Sequence, residues 1–361
     1  MGASESAIIN VNFNRSNAFY YGGEKLTGNI SFQNIQNKLK IEEIHLELIG
    51  ELGYPTQQIR WRRDTNGRSH KESYTDCHRV TFLKVPVSTV RSVHVKKKLT
   101  LHGRSYSIPF ELSLPDCLPP TLISSSPEHP YVKYYTRLMF DKPWSSLDAI
   151  PTYSLIICPR VNLFHMGNAE APVGFTNHNR KKIQLNGSIL RGGILPGQNL
   201  SIQLDLTNPK RRQIKRIEAT FIQHRQIANI RDQQIIFNCN LPGIYQFQEP
   251  ILKQVFDLSL PTTYLPPTYE FTTTDSNSSL GIFIHYELIL VVKTIGIFCD
   301  FQVSVPVMVG TESLSNRPQQ QQFSDQFSTP AIIASSLDQN CSPPSYEMAM
   351  QNELNNFEYV K

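Results

Sequence analysis

The chain is 361 residues long, with a formal net charge of +5 and a hydrophobic share of 40%. That length is room for two domains of ordinary size, each able to bury its own core, while 24 prolines argue against long helices. The six cysteines (Cys77, Cys117, Cys158, Cys239, Cys299, Cys341) are scattered, with no Cys-x-x-Cys pair and no metal-ligand spacing; this excludes a dense disulfide framework and reads as reduced thiols of a cytosolic protein.

The first residues, MGASESAIIN, lack the basic and apolar regions of a secretory signal. Gly2 and Ser6 match the M-G-x-x-x-[ST] myristoylation pattern loosely, and an ordinary disordered start is the simpler reading. From there to about Gly310 the pattern is one of short strands. LTGNISFQN (26–34), IHLELIGEL (44–52), SIQLDLTN (201–208) and HYELILVVKT (285–294) alternate apolar and polar residues or run β-branched, and Gly, Pro, Asn and Ser clusters separate them. The most apolar stretch, 286–309, is interrupted by Lys293 and Asp300, which a membrane-spanning helix rarely tolerates. The body is therefore expected to be all β, built as sandwiches or barrels.

An internal repeat runs through this body. GEKLTGNISFQN (23–34) aligns with GQNLSIQLDLTN (197–208), and IEEIHLELIG (41–50) with IKRIEATFIQ (214–223). FELSLPDCLPPT (110–121) aligns with FDLSLPTTYLPPT (256–268), each followed by a Ser-rich stretch and an aromatic strand, VKYYTRLMF (132–140) or IFIHYELILVV (282–292). The order is kept throughout, so the chain reads as a tandem of two related β domains, too long per unit for a solenoid. The segment 141–163 lies between the copies. From Thr311 the composition turns to Gln, Ser, Asn and Pro, which cannot bury enough surface to offset ordering entropy, and a disordered tail is expected. Residues 312–361 hold six acids and two bases, a net of −4, so the rest of a chain whose total is +5 carries +9.

Two stretches satisfy Pro-Pro-x-Tyr, the ligand pattern of WW domains: LPPTYEF (265–271) and SPPSYEM (342–348). Such a ligand must lie open as a polyproline II segment. The first copy falls in the repeat, where the earlier domain has LPPTL with Leu122 in place of Tyr269; a turn kept while the Tyr is exchanged reads as structural. The second has no counterpart in the repeat.

Taken together, the tandem β domains, the Gly-Glu turn (Gly23, Glu24, Leu26, Gly28) with its partner Pro196-Gly197, the LPxxLPPT elements, the Ser278–Gly281 run and the Pro-Pro-x-Tyr tail resemble the alpha-arrestins, the arrestin-domain-containing proteins. The resemblance spans essentially the whole chain. It implies two tandem arrestin-like, immunoglobulin-type β-sandwich domains (7–150 and 166–310), an inter-domain connection (151–165) and a disordered C-terminal tail (311–361). Two departures stand out: Gly22 occupies a position where the family usually has Pro, and the tail holds one full motif where members often hold two, NNFEYV (355–360) being at best degenerate.

The resemblance further implies an adaptor that performs no chemistry and takes no cofactor or metal. Its tail motif, Pro343, Pro344 and Tyr346, would bind a WW-domain HECT-type ubiquitin ligase, and its body the cytoplasmic tails of membrane receptors or transporters, at plasma membrane and endosomes. Anionic cargo or an anionic lipid surface would meet basic residues, for which Lys96, Lys97, Lys98, Lys210, Arg211, Arg212, Lys215 and Arg216 are the candidates. Further basic runs are WRRDTNGR (61–68) and NRKK (179–182), and solvated surface is the bland reading of every such run. Nucleic acid is not expected, because no recognition helix, zinc pattern or RNP-like motif accompanies the charge. No G-x-S-x-G, H-E-x-x-H, P-loop or G-x-G-x-x-G motif is present. A retromer-type scaffold and a regulator binding a thioredoxin-like protein stay open as other classes.

Overall fold

The computed structural model describes residues 8–33, 39–41, 44–63, 67–89, 99–101, 106–124, 129–140, 152–275, 278–296 and 300–313. The expectations for Gly2, Lys96, Lys97, Lys98, Pro343, Pro344 and Tyr346 thus lie outside the described residues.

The described chain is almost entirely strand. The first half contains β1 (Ile8–Phe13), β2 (Phe19–Tyr21), β3 (Lys25–Gln33), β4 (Leu39–Ile41), β5 (Ile44–Arg63), β6 (Ser69–Thr89), β7 (Leu99–Leu101), β8 (Tyr106–Ser113), β9 (Tyr131–Phe140) and β10 (Thr152–Cys158). One 3-10 turn, Leu163–His165, is capped by the Asn162 side chain. After it come β11 (Val173–His178), β12 (Gln184–Ile189), β13 (Gly193–Ile194), β14 (Asn199–Thr207), β15 (Ile214–Ile227), β16 (Ile230–Asn240), β17 (Ile251–Ser259), β18 (Tyr269–Asp275), β19 (Ser278–Thr294) and β20 (Phe301–Val309). Sheet orders are β1-β3-β8-β6-β5-β9-β10-β2, β11-β12-β14-β17 and β13-β20-β19-β15-β16, with β18 on β19 and β4 on β7. The expectation of an all-β, sandwich-built body is met, and no described helix is long and apolar enough to cross a membrane.

By proximity the chain forms two compact units. The first takes the described residues up to Val161 with Ala219–Cys239 and Pro266–Ile289; the second takes Asn162–Glu218, Asn240–Leu265 and the described residues from Leu290. Period-two patterning builds each core. In β5, Leu46, Leu48 and Leu52 are fully buried. In β14, Leu200, Ile202, Leu204 and Leu206 point inward while Asn199, Ser201, Gln203 and Asp205 alternate with them.

The repeat survives at the level of single hydrogen bonds. In the turn before β3, the Tyr21 amide donates to Glu24 Oε2 at 3.0 Å, the Glu24 amide returns to the Tyr21 carbonyl at 3.2 Å, and Gly23 has φ +79°. In the turn before β14, the Leu195 amide donates to Gln198 Oε1 at 3.1 Å, the Gln198 amide returns to the Leu195 carbonyl at 3.1 Å, and Gly197 has φ +81°. Carboxylate and carboxamide interchange here because each supplies one acceptor oxygen, and glycine is kept because the turn needs the left-handed region. Behind each turn a short parallel pair closes the sheet edge, Phe19 against Ile156 and Gly193 against Met308.

The LPPT elements are likewise internal. Pro119, Pro120, Pro266 and Pro267 are all buried. Tyr134 Oη donates to the Pro119 carbonyl at 2.6 Å, and Tyr286 Oη donates to the Pro266 carbonyl. Leu122 bridges to Val132, and at the matching place Tyr269 opens β18 opposite Ile284. Burial pushes the Tyr269 hydroxyl up to about 12. LPPTYEF is therefore a strand-entry element with its prolines inside the protein, and it offers no open polyproline face.

Candidate anion-binding surface

The second unit gathers cations at one end of its four-stranded sheet. Residue pairing places His178 opposite Gln184, Gln184 opposite Thr207, and Thr207 opposite Ile251. The loop joining His178 to Gln184 and the loop leaving Thr207 therefore emerge at the same end of the sheet, from β12 and β14, neighbouring strands about 4.8 Å apart. The first loop is NRKK (179–182); the second is NPKRRQ (208–213). Beginning 29 positions apart in sequence, they become one surface in the fold.

Both loops are built on a buried asparagine. Asn179 Oδ1 accepts from the amides of Lys181 and Ile183, each at 3.0 Å, and its carbonyl accepts from the Lys182 amide at 3.1 Å. Asn208, fully buried, accepts through Oδ1 from the Arg212 amide at 2.9 Å, and its carbonyl accepts from the Arg211 amide at 3.0 Å. Asn208 Nδ2 also donates to the Arg212 carbonyl at 2.8 Å and to the Glu249 carbonyl at 3.4 Å. In each loop the third residue after the asparagine is a cation in the left-handed region, Lys182 at φ +66° and Arg211 at φ +45°. A short polar side chain that satisfies its own loop is what makes this conformation tenable without glycine.

Arg180, Lys182, Lys210, Arg211, Arg212 and Lys215 are exposed, Lys181 is half-buried, and none forms an ion pair among the described residues. Glu249 borders the second loop through its backbone and forms none with them. Arg216 differs. Its guanidinium is held by Glu218, Nε to Oε1 at 2.7 Å, and Lys293 lies 3.9 Å from the same carboxylate. The residues proposed from sequence thus divide: Lys210, Arg211, Arg212 and Lys215 stand open, Arg216 is neutralised, and Lys96, Lys97 and Lys98 are outside the described residues.

Sequence reading singled out NRKK and NPKRRQIKR separately and missed that they adjoin. The available signal was the asparagine opening both runs directly after a strand. Chemically the surface can hold a polyanion through several exposed cations. Among the described residues no group of three His, Cys, Asp or Glu is placed to hold a metal ion.

Comparison with known families gives two matches. A model described as "Arrestin (or S-antigen), N-terminal domain" matches residues 9–161, and one described as "Arrestin (or S-antigen), C-terminal domain" matches residues 179–314. Among curated proteins none matches the chain.

Proposed function

We propose that this chain, which belongs to the arrestin family, is an adaptor of the alpha-arrestin type. Its tail motif, Pro343, Pro344 and Tyr346, recruits a WW-domain HECT-type ubiquitin ligase, and its basic surface receives anionic segments of membrane-protein cytoplasmic tails. Anionic lipid is a second polyanion that the same cations suit. The mechanism is proximity: the adaptor raises the local concentration of ligase around cargo lysines and itself makes or breaks no bond. Cargo ubiquitination then drives endocytosis or endosomal sorting, so the protein works in the cytoplasm and at membranes.

The observation that carries this reading is the contrast between the two Pro-Pro-x-Tyr copies. Burial of Pro266 and Pro267 removes LPPTYEF as a rival ligand and leaves SPPSYEM, in a Gln- and Ser-rich segment, as the one suited to an aromatic groove. Cys239 itself lends a thioredoxin-binding role no support: it is exposed, but desolvation pushes its thiol pKa up, away from the thiolate that disulfide exchange needs.

A pull-down with isolated WW domains tests the assignment. Tyr346→Ala is expected to abolish capture by the full chain, and Tyr269→Phe, which keeps the packing, to leave it intact. Capture that persists in Tyr346→Ala would sink the recruitment mechanism.

A further inference from the structure

Strands β5 and β6 outrun the sheet they belong to. β9 accompanies β5 only as far as Gly53, opposite Tyr131, whereas the β5–β6 ladder continues to Arg63 opposite Ser69. From Tyr54 outward the pair is a two-stranded ribbon, and alternate residues form its two faces.

One face satisfies itself. Tyr54 stacks on His78 with ring centroids 5.2 Å apart, and Thr56 Oγ1 meets His78 Nε2 at 2.8 Å. Tyr74 donates to Gln58 Oε1 at 2.9 Å. Glu72 accepts from Arg60 at 2.8 Å and from Arg62 at 3.4 Å, while the Arg60 guanidinium lies 5.1 Å from the Tyr74 ring centre.

The opposite face does so at Gln57, which donates to Thr75 Oγ1 at 2.9 Å and accepts from Ser73 Oγ at 3.1 Å, but not at the large side chains of its tip. Ile59 and Trp61 are each 67% exposed. Lys71 stands opposite Trp61, its Nζ 5.2 Å from the ring centre, and Arg63 follows on the same face. Neither cation forms an ion pair among the described residues. The nearest described carboxylate of the same parity on β5 is Glu51, about 34 Å away along the strand at ~3.4 Å per residue, and it is already held by Lys133 at 2.9 Å. Charge-pairing is thus concentrated on one side of the ribbon, while the other side presents apolar and cationic side chains at its tip.

We propose that this face docks on an anionic lipid surface. Trp61 and Ile59 sit at the depth of the headgroups, and Lys71 and Arg63 meet lipid phosphates. A tryptophan flanked by long cationic side chains is the composition that membrane interfaces favour, since the ring is apolar in body and polar at its N–H, and the cations extend into the phosphate layer. A symmetric contact with a second copy would set Lys71 and Arg63 against their own images, which like charge disfavours. The face shares no residue with the Asn179 and Asn208 loops and does not depend on ligase docking, so failure here leaves the adaptor reading standing.

The chain contains two tryptophans, Trp61 and Trp144, so full-length protein carrying Trp144→Phe reports on Trp61 alone. With phosphatidylcholine vesicles containing phosphatidylserine, Trp61 emission is expected to shift to the blue and to be quenched by brominated acyl chains; with phosphatidylcholine alone it is expected to do neither. Lys71→Gln and Arg63→Gln should each weaken partitioning by roughly fivefold, more at low salt than at high. Ile59→Ser should reduce quenching, and Gln58→Ala on the opposite face should change nothing. Far-UV circular dichroism checks that each variant is folded. Three results would overturn the proposal: partitioning indifferent to Lys71 and Arg63, emission that shifts with protein concentration instead of vesicles, or emission already blue-shifted without vesicles. The second would assign the face to another copy, the third to a segment of this chain.

Discussion

If a buried asparagine holds the basic surface in shape, removing it should loosen the fold and the binding together. Asn208→Ala deletes two short hydrogen bonds to Arg212, at 2.9 and 2.8 Å, and a longer one to the Glu249 carbonyl at 3.4 Å. Each short bond contributes about 0.5–1.5 kcal/mol net, so the pair is worth about 1–3 kcal/mol. At a urea slope of about 2 kcal/mol/M, the unfolding midpoint should fall by ~0.5–1.5 M. Arg211→Gly is the counter-experiment. It relieves a left-handed non-glycine residue, worth about 1 kcal/mol against a similar entropic penalty, so stability should hardly change while one exposed cation is lost. Binding of a multiply phosphorylated peptide to the full chain should then weaken up to about fivefold in Arg211→Gly and by more in Asn208→Ala, where the whole loop relaxes. An Asn208→Ala protein with an unshifted midpoint and unchanged peptide affinity would refute the claim that this side chain shapes the surface.

The internal repeat yields a paired test. Tyr134→Phe and Tyr286→Phe each remove a buried donor to a proline carbonyl and should each lower the thermal midpoint, by an amount corresponding to about 1–3 kcal/mol; a silent pair would mean the hydroxyls are incidental. Acid should act on Glu51. Burial pushes its carboxyl pKa upward, but hydrogen bonds from Lys133 and Tyr131 and the charges of Lys133 and Arg79 outweigh that and hold it below the usual range. A folded-state value below the unfolded one, about 4.3, means the carboxylate stabilises the fold above that pH and loses its contribution as pH falls through the folded value. Stability measured from neutral pH into acid should therefore drop less steeply in Glu51→Gln than in the parent protein.

Fold class was legible because it rests on short-range chemistry. Alternation in LTGNISFQN and SIQLDLTN marks strands on its own, and the paired GEK and GQN turns announce a repeat before any contact is known. What stayed hidden was lateral. The asparagine that opens both NRKK and NPKRR hints at a shared loop type, but their adjacency is created by β12 pairing with β14, a contact set by which strands share a core. The parallel closures of β2 on β10 and β13 on β20 are hidden for the same reason, since a parallel pair has no turn to betray it. In WRRDTNGR the charges were visible, but not that Arg62 turns to Glu72 while Arg63 and Trp61 face the other way. That division needs the register of a strand that follows in sequence.

These placements also change what the charge of the body means. A net of +9 over the first 311 residues suggests a diffuse positive field that would hold any polyanion, yet many of its cations are already answered. Arg15 and Arg160 flank Glu24 at 2.7 and 2.9 Å, Arg137 and Lys84 share Glu47 at 3.2 Å each, and Arg216 holds Glu218. Such pairs contribute little field beyond about 10 Å at physiological salt. Among the described residues, open cations gather on the two asparagine loops of one unit and on one face of the β5–β6 ribbon of the other. Grouping matters more than the total: binding that used the diffuse charge would fall off evenly as any lysine or arginine were neutralised, whereas binding through these groups should ignore Arg15, Arg137 and Arg160 and respond steeply to Arg211, Arg212 or Lys71. Charge-to-glutamine scanning of the full chain against one polyanion separates the two cases, and an even response would leave the grouped surfaces with no special role.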